Sequence, residues 1–99
     1  MFISVVLDPG SIDSSRALSM VLTHFGFKKV QRAVWESTVI NSGRILQLKR
    51  EMDRVTDYYD KIRMYQFPVD GLFEITFLSQ KKWRRCLIKP ELVHAKSKE

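Results

Sequence analysis

The stretch KIRMYQFPVDGLFEITFL, residues 61–78, holds two runs of aliphatic and aromatic residues on either side of PVDG. Proline and glycine between strand-like runs suit a chain reversal, so residues 61–67 and 72–78 are expected to form the arms of a hairpin. The second arm sets the main constraint on the fold. Phe73, Ile75 and Phe77 alternate there with Leu72, Thr76 and Leu78, so both faces of the strand are apolar. Helices packed on one side of a sheet leave the other side bare, and a bare apolar face calls for a partner. A symmetric dimer formed through the sheets is the simplest way to cover it.

Toward the N-terminus, residues 2–8 (FISVVLD) are β-branched and apolar with little alternation, the pattern of a central strand covered on both sides. PGSIDSS, residues 9–15, supplies a turn and helix-capping residues; Ala17, Leu18, Val21, Leu22 and Phe25 then recur at helical spacing up to Gly26. A helix over 14–25 is predicted. KKVQRAVWESTV, residues 28–39, reads as strand, either one bent strand or a tight hairpin, and NSG at 41–43 breaks the pattern. Ile45, Leu48, Met52, Val55 and Tyr59 step by three and four, which predicts a second helix over 43–58. Its opposite face carries Lys49, Arg50, Asp53, Arg54 and Asp57 and reads as solvated, with Arg50–Asp53 and Arg54–Asp57 spaced to pair. KKWRRCLIK, residues 81–89, adds a last short strand before Pro90, and residues 90–99 form a polar tail expected to be loose. The order of elements is that of an α+β, ferredoxin-like two-layer sandwich over residues 1–89, an antiparallel sheet with two helices on one face.

A chain of 99 residues with 44% hydrophobic content builds one core rather than two. FISVVL is too short to span a bilayer, no secretory pattern opens the chain, and Cys86 is the only cysteine, so a cytoplasmic protein is expected. No Cys and His cluster has zinc spacing. His24 and His94 stand beside no apparent nucleophile, while Ser11, Ser14 and Ser15 read as turn and cap residues, so a hydrolase triad has no support in the sequence. Glycines scattered at 10, 26, 43 and 71 make no phosphate loop. The net charge of +6 attracts polyanions, although solubility alone would account for it equally well.

Asp8 is the one acid of the first strand, placed where the chain leaves the sheet. There it can hold Mg2+ or Mn2+ together with water and phosphate oxygens, or simply cap the following turn. The basic residues fall into three groups: Arg16; Lys28, Lys29 and Arg32; and Lys81, Lys82, Arg84 and Arg85. All are suited to phosphate contacts, and the last group equally to guarding an edge strand. No signature of base stacking on a sheet is visible, so backbone binding is expected.

VVLDPG at 5–10, Arg16, FGFKKVQRAVWES at 25–37 and DKIRMYQF at 60–67 together resemble the second CRISPR-associated protein family of the spacer-acquisition machinery. Leu7, Pro9 and Trp35 depart from that family's usual Tyr, apolar and Phe residues. The resemblance implies a homodimer with facing sheets and Asp8 as a divalent-metal ligand, with metal-dependent endonuclease activity on RNA or double-stranded DNA in some members. It also implies that the dimer holds duplex DNA between subunits of a CRISPR-associated integrase, with Arg16 and the basic clusters on phosphates. A toxin-like endoribonuclease family shares the architecture, and a non-enzymatic ferredoxin-like regulatory module remains the alternative from another class.

Overall fold

The computed structural model describes residues 1–89; the predicted tail at 90–99, with His94, lies outside the described residues. The chain forms β1 (Phe2–Asp8), α1 (Ile12–His24), β2 (Lys28–Gln31), β3 (Val34–Ser37), α2 (Ile45–Arg54), β4 (Lys61–Val69), β5 (Leu72–Ser79) and β6 (Lys82–Ile88). One antiparallel sheet runs in the order β2-β3-β1-β4-β5-β6. Its first four strands and two helices have the arrangement compatible with a ferredoxin-like sandwich, which β5 and β6 extend past β4. No helix among the described residues is long and apolar enough to cross a membrane.

Local chemistry explains the boundaries. Ser11 caps α1, its hydroxyl oxygen accepting from the Ser14 N–H at 3.1 Å, so the helix begins two residues before the predicted start. At its other end Gly26 adopts a φ of +87°, Gly26 N–H donates to Thr23 O and Phe27 N–H donates to Leu22 O. This paired closure needs a left-handed residue, which glycine provides without steric cost. Residues 28–39 resolve into the hairpin alternative, β2 and β3.

The second helix is shorter than its periodicity predicts, because Ser42–Arg44 is a 3-10 turn and α2 stops at Arg54. The hydroxyl of Thr56 donates to Met52 O at 2.9 Å, and the Lys81 ammonium donates to Asp53 O at 2.6 Å and Thr56 O at 3.1 Å. With its last carbonyls taken, the helix has no reason to continue, and Tyr59 lies exposed beyond it. The predicted ion pairs change accordingly. Arg54 pairs with Glu51 at 2.7 Å and Asp53 with Lys81 at 3.3 Å, since Asp57 falls outside the helical spacing.

Ile3, Val5 and Leu7 of β1, Leu18 and Leu22 of α1, Leu48 and Met52 of α2, Ile62 and Met64 of β4 and Leu78 of β5 make one core between helices and sheet. Thus β1 is central but covered on one face only. Phe2 and Asp8 are exposed, and Ser4 and Val6 half-exposed, on the other face. The β4 strand tolerates Pro68 because pairing shifts register between Gln66 and Val69, a bulge where its missing N–H does no harm. Asp70 and Gly71, both at positive φ, then make the two-residue turn into β5.

Candidate nucleic-acid interface

Strand register decides which side chains share the open face. Antiparallel pairing sets Asp8 opposite Lys61, Lys61 opposite Ser79 and Ser79 opposite Lys82, one row across four strands. The next row sets Val6 beside Arg63, Phe77 and Arg84. Residues directly opposite in a ladder point to the same side, so Lys61, Arg63, Lys82 and Arg84 gather at one end of this face with Asp8. Arg63 is held there: its Nε donates to the Tyr65 hydroxyl at 3.0 Å, and its guanidinium lies 5.3 Å from the Phe77 ring centre.

The other end of the same face is apolar. Phe67 and Phe73 stack at 4.3 Å between ring centres, and Phe2 and Ile88 are also exposed. Aromatics therefore do occupy an open sheet face, though no short motif in the sequence announces them.

The remaining predicted contacts scatter. Lys28 stands opposite Glu36 at the far edge of the open face, and Arg16 is exposed on α1. Lys29 and Arg32 line a cleft of about 230 Å3 with Ser15 and Ser19 of α1. Lys81 and Arg85 are engaged within the protein. Lys81 caps α2, and Arg85 Nε sits 3.1 Å from the carboxylate of Glu74, which is buried under the helix layer. Burial chiefly lowers the pKa of Lys49, also near Glu74 at 3.9 Å; Glu74 works against the lowering and Arg85 adds to it.

The Asp8 side chain is exposed and makes no hydrogen bond among the described residues, so it does not cap the turn that follows it. Two other residues perform that role. Ser11 caps the helix, and Asp60, fully buried, accepts from the Gly10 N–H at 2.7 Å, the Ser14 hydroxyl at 2.8 Å and the Asp57 N–H at 2.8 Å. Burial pushes the Asp60 carboxyl upward, but donors from Gly10, Asp57 and Ser14 outweigh it and hold the pKa below its ordinary value. A side chain on Gly10 would meet the Cβ of Tyr59 at 2.8 Å, so the two turns lie in direct contact. Asp60 enters the sequence only as the first letter of a matching stretch; nothing local marks it as the clasp between residues 46 and 50 positions away.

For a divalent cation, the basic end of the open face offers the carboxylate of Asp8, and no group of three ligating side chains occurs among the described residues. That donor set fits an ion that keeps most of its water and borrows phosphate oxygens, not one caged by protein. Comparison with protein-family models and with curated proteins finds no match for the chain.

Proposed function

We propose that this chain is a dimeric nucleic-acid-binding subunit of a CRISPR spacer-acquisition complex, working in the cytoplasm beside a CRISPR-associated integrase. The observation that carries the reading is the division of the open sheet face. Its aromatic end is a natural dimer contact, and its basic end, with Lys61, Arg63, Lys82 and Arg84, suits the phosphates of double-stranded DNA or RNA. Arg16, Lys28, Lys29 and Arg32 would extend the phosphate contacts around the edge of the domain. In a dimer with facing sheets, Asp8 of each copy would join this basic end. A magnesium or manganese ion bound there would polarise a phosphate oxygen and activate water. Asp8 itself would hold the ion, and Lys61 opposite it would offset phosphate charge.

Two measurements test the reading. Affinity for a short DNA duplex should fall at least about a hundredfold between roughly 50 and 200 mM salt, as expected when several phosphates are neutralised; a flat response would overturn the phosphate role. Asp8→Asn should abolish any metal-dependent cleavage of RNA or duplex DNA while leaving duplex affinity and spacer integration within about threefold. Loss of integration by this variant with dimerisation intact would count against a scaffold.

A further inference from the structure

A second anion-suited surface lies on the helix side of the sheet, away from the face just discussed. Between α2 and β6 runs a groove of about 570 Å3 lined by Leu46, Lys49, Arg50, Asp53, Lys81 and Trp83. Three of these six side chains are cations and one is an acid. The acid is already neutralised, because the Lys81 ammonium sits 3.3 Å from the Asp53 carboxylate. Arg50 is exposed and has no hydrogen-bond or ion-pair partner among the described residues. Lys49 keeps only a long contact to Glu74 Oε2, at 3.9 Å, the same oxygen that Arg85 Nε approaches to 3.1 Å. An incoming anion would therefore meet positive charge that the protein itself leaves unsatisfied.

The groove is also built rather than incidental. Lys81 occupies a two-residue turn with Gln80, both at positive φ, 60° and 53°. Neither is glycine, so the turn carries backbone strain, which the Lys81 contacts to α2 help offset. That turn fixes the adjoining Trp83, half-buried, opposite Leu78 in the ladder and packed against the core. Its indole N–H has no acceptor among the described residues and stays open to solvent. A rigid indole with a spare donor, flanked by cations, is the composition of a stacking platform for a nucleobase with its phosphate alongside.

We infer that the α2–β6 groove binds single-stranded nucleic acid, a base resting on Trp83 and the backbone phosphates on Arg50 and Lys49. The site is separate from the duplex surface, so each can fail alone. The probe is a labelled ten-nucleotide oligo(dT), titrated at low salt against the full chain by anisotropy and by tryptophan fluorescence. Binding should quench tryptophan emission, and Trp83→Phe should remove most of the quench while keeping affinity within about fivefold. Arg50→Gln and Trp83→Leu should each weaken oligo(dT) binding at least about tenfold and leave duplex affinity within about twofold. Arg50→Gln keeps the test informative should Trp83→Leu disturb the fold. Unchanged oligo(dT) affinity in Arg50→Gln, or an absent quench, overturns the proposal. Displacement of the oligonucleotide by oligo-glutamate at equal concentration would overturn it too, marking the groove as a site for acidic peptides.

Discussion

Replacing Asp60 with alanine should cost the fold about 3–5 kcal/mol, since the Gly10 N–H, the Asp57 N–H and the Ser14 hydroxyl would lose their common acceptor inside the protein. For a chain of this size the melting temperature should drop by roughly 15–30 °C. Asp60→Asn should recover only part of the loss, because one side of the amide turns a donor toward another donor. Urea unfolding at neutral pH measures both. The variants also separate the carboxylate's charge from its shape. Hydrogen bonds hold the folded Asp60 pKa below its ordinary value, so the stabilisation is complete above the unfolded value of about 3.9. It declines as pH falls below that value and is gone once pH has passed through the folded one. The acid limb of the stability profile should therefore be shallower in Asp60→Asn than in the parent chain. Identical limbs would remove the ionised clasp from the account of the fold.

The second large effect concerns association. Phe67 and Phe73 form a stacked pair whose rings stay 37% and 41% exposed, so each retains much apolar surface that a partner could bury. If the sheets dimerise through this end, Phe73→Glu places a carboxylate inside the contact without a counterion. Dimerisation should weaken at least about a hundredfold, the scale seen when a central interface residue is lost. The substitution also gives up the stack on Phe67, so the urea stability of the protomer should fall by about 1–2 kcal/mol, well short of unfolding it. Sedimentation equilibrium of both forms decides the question. A parent chain that stays monomeric at tens of micromolar, or a variant that dimerises as well, would remove the sheet-to-sheet contact.

Much of the fold is legible along the chain because its signals are local. The turn signal at Asp70 and Gly71, the glycine closing α1 and the alternation in β5 each place an element or a face correctly, while Pro68 and Val69 belong to β4. The errors arise where distant residues intervene. Apolar spacing carries on through Val55 to Tyr59, yet Lys81 ends the helix from more than 20 positions away. An almost continuous apolar run suggests that β1 is covered twice, yet within one chain only its helix side is covered, and a second cover would have to come from another copy. The site was harder to read for a geometric reason. In the basic cluster at 81–85, Lys82 and Arg84 point to the open face while Lys81 and Arg85 contact the helix layer. Neighbouring charges in a strand face opposite ways, so a cluster in sequence is two half-clusters in space. Lys61 and Arg63 look ordinary until register brings them beside Lys82 and Arg84.

The central place of β1 bears on how the chain acquires its structure. Its two hydrogen-bonding edges are filled by residues 34–37 and 61–67, so β1 stays incomplete until β4 has been made. Until about residue 70 has emerged from the ribosome, Ile3, Val5 and Leu7 have only a partial sheet to join. The nascent chain must keep a sticky, half-edged strand shielded until β4 arrives to pair with it.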